Sequence, residues 1–266
     1  MNLACSLPPS VRALCLNGVF ILCAALLLGA TSPEAQSSVA AAEAAEARFD
    51  IPGALELYRK ADALQPNNSL ILQRISKQLS NASDEIANVQ ERTKQVQEAL
   101  SYSQRALEIS PHDPACLVSM AVCYGKLAAT GDNATRVEYS RLVKRYAEEA
   151  LSANPNYDWA HHVLGRWNYE VALIGGPTRV AARLLYGGLP TASCKEAIMH
   201  LQKAVELNPK VPAHYVELGY AYSASGDKLH AVEQWKKSLE IPSLEKHDEA
   251  SKAQARAALE HLNAAK

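Results

Sequence analysis

Phenylalanine and methionine are scarce in this 266-residue chain, with 2 and 3 copies, and aromatic residues of all kinds make up only 6%. Strands of a β-sandwich want aromatic and β-branched side chains, so this shortage, set beside the abundant Ala, favours closely packed helices. Net charge is missing as well. The 27 Lys+Arg and 28 Asp+Glu leave −1, and no dense basic block interrupts the balance. Phosphate backbones attract proteins through clustered cations, so no nucleic-acid partner is expected.

Motifs that carry chemistry are also lacking. There is no Gly-rich phosphate loop, no G-x-S-x-G elbow, no H-E-x-x-H and no C-x-x-C pair. Neither an enzyme nor a cofactor site is therefore expected. His161 and His162 are adjacent, and helical neighbours point about 100° apart, so they do not share a metal ion. Of the six Cys, Cys5, Cys15 and Cys23 lie near the amino terminus, leaving Cys116, Cys123 and Cys194, too few for a disulfide framework.

One apolar run stands out, residues 18–30 (GVFILCAALLLGA), preceded by Arg12 and followed by Glu34, Glu43 and Glu46. Its 13 residues suit the core of a signal peptide, whereas a span needs about 20. Extended back to Ala13 across Asn17 it reaches a marginal spanning length, so residues 1–34 are read as a signal peptide or a membrane anchor, with membrane association through residues 13–30. A cleaved signal implies a secretory or luminal location, and the sequons at Asn67, Asn81 and Asn133 would then matter. The alternative is an organelle outer membrane with the remaining domain, 35–266, facing the cytoplasm.

Self-similarity organises the rest. Ala is followed five residues later by Pro at Ala61/Pro66, Ala106/Pro111, Ala150/Pro155 and Ala204/Pro209, and a shortened copy carries Ser238 and Pro242. This pattern resembles the tetratricopeptide repeat, in which small residues let two helices approach and Pro ends the second. The register puts further small residues at Ala54, Ala99 and Ala197, with Val143 the exception, and bulky ones at Tyr58 and Leu201. In the last unit Tyr215, Leu218, Gly219, Tyr222, Gly226, Ala231 and Trp235 occupy successive signature places.

These prolines are separated by 45, 44, 54 and 33 residues, so three units carry insertions. Two fall where helices simply lengthen, around 83–98 and 134–147. The third, 174–193, is bracketed by Gly175-Gly176-Pro177 and Gly187-Gly188-Leu189-Pro190 around a short helix over 178–186, read as a lid on the superhelix. Residues 248–264 read as a closing helix. The expected fold is an all-α, right-handed tetratricopeptide-like solenoid of about five helical pairs with a capping C-terminal helix.

The stretch AHHVLGRWNYEVA at 160–172, the elongated units, and the insertion ending in Gly187-Gly188-Leu189-Pro190 before Cys194-Lys195-Glu196-Ala197 go beyond the generic repeat. Over residues 51–262 the chain resembles the regulator of microtubule dynamics protein family. The resemblance implies a helical tetratricopeptide-like domain, often beside an amino-terminal hydrophobic segment, with links to microtubules and membrane contacts.

The inward-facing register positions of the first helices predict a groove. Its candidate binding residues are Lys77, Val118, Val122, Lys126, His162, Arg166, Tyr169, Glu170, Val216 and Tyr220. Apolar side chains with Lys77, Lys126 and Arg166 as isolated cations suit a peptide or helical protein partner in the concave groove. A phospholipid is the alternative occupant, with Val118, Val122, Val216 and Tyr220 against an acyl chain, and direct binding to microtubules is a third reading. Arg166 and Glu170, four apart, are expected to pair along their helix. Trp159 and Trp167 are expected to anchor the insertion to the fourth unit.

Overall fold

The computed structural model describes residues 32–264. The apolar run at 18–30 lies outside the described residues, and no described helix is long and apolar enough to cross a membrane.

Twelve helices follow one another among the described residues, with no strand between them. They are α1 (Pro33–Glu46), α2 (Ile51–Leu64), α3 (Ser69–Ser83), α4 (Val89–Ile109), α5 (Pro114–Thr130), α6 (Asn133–Ala153), α7 (Asp158–Ala172), α8 (Gly176–Tyr186), α9 (Cys194–Leu207), α10 (Pro212–Ala224), α11 (Lys228–Glu240) and α12 (Lys246–Ala264).

Local chemistry sets most of these boundaries. Side chains of Asp50, Asn68, Asn88, Asp113, Asp132, Ser193 and Asp227 accept hydrogen bonds from the otherwise unsatisfied amides of the helices they precede. Pro at the first turn of α2, α5 and α10 lacks an amide that would find no partner there. Pro66, Pro111, Pro155 and Pro209 each fall just past the end of a second helix.

Packing then makes pairs: α1 with α2, α3 with α4, α5 with α6, α7 with α9, and α10 with α11. First helices also touch in series, α3 on α5, α5 on α7 and α7 on α10, forming the inner layer of a right-handed superhelix. The repeated small residues explain the close approach. Ala54, Ala61, Ala99, Ala106, Ala150, Ala197 and Ala204 are fully buried at the seams. At Gly165 and Gly219 even a methyl group is too much, because a Cβ would collide with Leu201 and with Trp235 respectively. Helix α12 closes the stack by packing on α10 and α11, with Ala255 fully buried.

Both early insertions lengthen second helices, α4 and α6, each 21 residues long. Residues 84–88 are the exception and form the turn before α4. The 174–193 insertion builds α8, which ends at Gly187 in the left-handed region with φ 77°. It does not lid the groove. Instead α8 rests against α6 of the outer layer, where Arg141 donates to the carbonyls of Tyr186 and Gly188 and Arg179 donates to that of Val171.

Candidate functional site: the concave surface

Three polar clusters line the inner layer. The first is centred on α7. Asp158 Oδ2 accepts from Asn208 Nδ2 at 3.0 Å and from His214 Nε2 at 3.2 Å. His214 Nδ1 in turn stands 3.0 Å from His162 Nδ1, so that one ring donates and the other accepts. Burial, reinforced by His214, holds the His162 imidazole well below its ordinary pKa, so the ring is neutral. Burial opposes the charge on Asp158, yet hydrogen bonds from His214 and Asn208 bring its pKa below the usual carboxylate range. The Trp159 ring packs against this chain, with centroids 4.9 Å from His162 and 5.0 Å from His214.

One turn further along α7 the second cluster joins the same two helices. Glu217 of α10 is only 7% exposed and accepts from Tyr169 Oη at 2.5 Å, with Arg166 Nη1 at 3.4 Å. Arg166 also pairs with Glu170 at 2.8 Å, as the helical spacing predicts. Burial raises the pKa of Glu217, and Arg166 and Tyr169 pull in the opposite direction.

The third cluster involves residues far apart in the chain. Lys77 of α3 pairs with Glu245 at 2.7 Å, and Lys246 pairs with Glu85 at 2.7 Å. His247 brings its ring to 5.6 Å from Trp159. Burial alone would raise the pKa of Glu245, but His247 and Lys77 together lower it to about 2. The junction of the linker with the first turn of α12 thus runs across the inner layer and touches α3 and α7. Asp248 fixes its shape by accepting the amides of Leu244 at 2.9 Å and Glu245 at 3.0 Å.

Several expectations change accordingly. Lys77, Lys126 and Arg166 face inward but none is isolated: Lys126 pairs with Asp84 at 2.5 Å and donates to the Ser80 carbonyl at 2.9 Å. Val216 is 1% exposed, in one cluster with Ala231, Trp235 and Ala255, and Tyr220 donates to the Gln254 carbonyl of α12. The capping helix therefore covers the apolar lining expected at Val216 and Tyr220. Val118 is buried and Val122 packs on the same cluster between α5, α6 and α7. Trp167 is a packing anchor: it donates to the Ser140 carbonyl of α6 at 2.9 Å and belongs to the cluster against which Ile174, Leu189 and Ala192 of the insertion pack. Trp159 packs at the edge of that cluster and stands among three histidine rings. His161 turns away from His162 and meets His200, Nδ1 to Nδ1 at 2.9 Å.

Asp158, His214, Glu217, Glu245 and His247 escape the sequence reading. His214 and Glu217 each sit one place beyond an inward position of α10, on the flank turned to α7. Polar residues there are the signal that was available. Nothing in the repeat register points to Glu245 or His247, which lie beyond the last full unit. Among the described residues no group of three or more His, Cys, Asp or Glu is placed to hold a metal ion.

Comparison with known proteins adds the wider context. The family model for regulator of microtubule dynamics protein 1-3 matches residues 35–263. Regulator of microtubule dynamics protein 3 of Xenopus laevis is 30% identical over 137 residues, which are 51% of this chain and 30% of that protein. The human regulator of microtubule dynamics protein 2 is 24% identical over 140 residues, 52% of this chain and 34% of that one. The matched stretches therefore span about a third of these curated relatives. Among solved structures, a thermophilic tetratricopeptide-repeat protein of Thermus thermophilus superposes with a TM-score of 0.62 at 17% identity, covering 84% of this chain and 99% of that one. At that identity the likeness concerns the fold.

Proposed function

Starting from the fact that the chain belongs to the regulator of microtubule dynamics protein 1-3 family, we propose that it works by holding an extended segment of a protein partner on its concave surface. The family and the tetratricopeptide-like fold support a protein-interaction scaffold. One observation supports the finer reading. A short polypeptide stretch, the end of the linker together with the first turn of α12, already lies on this surface through Lys77–Glu245 and Trp159–His247 contacts. A surface that accommodates backbone and side chains of one segment has the width and the polar anchors to accommodate another.

A photo-reactive benzoylphenylalanine at Leu70, 53% exposed on α3, compared with one at Met199, 56% exposed on outer helix α9, tests this placement. Adducts at Leu70 are expected to map by mass spectrometry to one short stretch of a partner chain, and Met199 is expected to give none that converge. Convergent adducts at Met199 alone would move the binding surface to the outer layer and overturn the reading.

A further inference from the structure

The junction of the linker with the first turn of α12, residues 244–248, is held in a way that suits exchange. Its two ion pairs to α3 and the turn beyond it involve partly exposed side chains, Lys77–Glu245 and Lys246–Glu85, and such pairs contribute about 0–1 kcal/mol each. Both ring nitrogens of His247 are buried without a well-directed hydrogen bond, although Glu245 Oε2 stands 3.2 Å from Nδ1 and Asp248 Oδ1 3.5 Å from Nε2. Burial of an imidazole with imperfect partners works against docking. By contrast the turn itself is pre-shaped by Asp248, which is almost fully buried and accepts two amides. The result is a well-formed segment whose side-chain attachment to α3 and α7 is weak, kept on the surface by its covalent link to α11, its continuity with α12 and the high local concentration these provide.

We propose that residues 244–248 are a built-in occupant of the concave surface, displaced by an acidic partner segment whose carboxylate takes the place of Glu245 on Lys77 and whose aromatic or imidazole ring, two residues on, takes the place of His247 on Trp159. This rests on the scaffold reading above and names the chemistry of the partner. The spacing follows from the segment itself, Glu245-Lys246-His247, in which the first and third side chains reach α3 and α7 while the second turns to Glu85. A partner reaching this surface must compete with the tethered segment, so binding is gated by how often the segment leaves.

The probe is a fluorescein-labelled synthetic peptide carrying residues 241–250 of this chain, titrated into the full-length protein and followed by anisotropy. Against a Glu245→Gln/His247→Ala chain, whose own segment has lost both anchors, the peptide is expected to bind at least about tenfold more tightly than against the unaltered chain. Adding Lys77→Gln to that chain, or replacing the peptide's own glutamate at position 245 by Gln, is expected to remove the gain. Equal binding to the unaltered and altered chains, with matching circular dichroism, overturns the proposal. So does a gain that survives Lys77→Gln. Should the double variant lose helix content, the single Glu245→Gln chain is compared in the same way. Failure here with convergent adducts at Leu70 would leave the scaffold reading standing and remove only the built-in occupant.

Discussion

Replacing Trp235 by Ala is expected to destabilise the carboxyl-terminal part of the solenoid by about 3–5 kcal/mol, the range for deleting a buried indole. Trp235 is almost fully buried, its Nε1 donates to the Val216 carbonyl at 3.1 Å, and the Tyr220 ring meets it edge-on at 5.3 Å. It also fills the space left by Gly219, where any side chain would collide with it. Loss of the indole therefore removes the contact that seats α11 on α10 and, through Val216 and Ala255, the cap on both. Each repeat is stabilised mainly by its neighbours, so the damage stays at that end of the stack. Urea denaturation followed by circular dichroism is expected to separate into two steps, the first covering α10–α12. Trp235→Phe, which keeps a ring and loses the hydrogen bond, is expected to cost about 1 kcal/mol. A loss below about 1 kcal/mol for Trp235→Ala would mean that the last pair is not held through this residue.

Arg166→Ala is expected to destabilise the protein by about 2–3 kcal/mol near neutral pH, because it strands the buried Glu217 carboxylate. The lower part of the range for broken buried pairs applies because Arg166 is half exposed. The deficit depends on pH in a defined direction. Burial raises the pKa of Glu217 above its ordinary 4.5, and Arg166 opposes that rise. Between the unfolded and the raised folded value the folded state binds more protons, so stability falls as pH increases through that window. Removing Arg166 raises the folded value further and widens the window. The difference between variant and unaltered chain is therefore expected to shrink as pH is lowered from about 8 towards about 5, and Glu217→Gln in the same chain is expected to recover most of it. A deficit that is flat with pH would show that Arg166 acts through packing of its aliphatic stem alone.

The solenoid was legible because its determinants are local and repeated. Ala at the seams, Pro after each second helix and a bulky residue at Tyr58 or Leu201 recur at fixed register positions, and the structure buries them as that register requires. The pairing of Arg166 with Glu170 was legible for the same reason, being a property of one helix. The concave surface was only partly so. Register says which way Lys77, His162 or Val216 points, but not what stands opposite. His162 meets His214 across 52 residues of sequence and Tyr169 meets Glu217 across 48, contacts that exist only once α10 is stacked on α7. Val216 and Tyr220 looked like an apolar lining because an internal repeat exposes that face, whereas here α12 occupies it. Lys77 looked unpaired because its carboxylate comes from a linker outside the repeat pattern.

That the inner layer is closed by the protein's own linker is tested most directly by hydrogen exchange of the peptide spanning residues 243–248. Docking and the hydrogen bonds to Asp248 predict that the Leu244 and Glu245 amides exchange at least about tenfold more slowly than in an unstructured chain. Lys77→Gln is predicted to speed them while the amides of α4 stay unchanged. Exchange at the unstructured rate in the unaltered protein, or rates insensitive to Lys77, would contradict it.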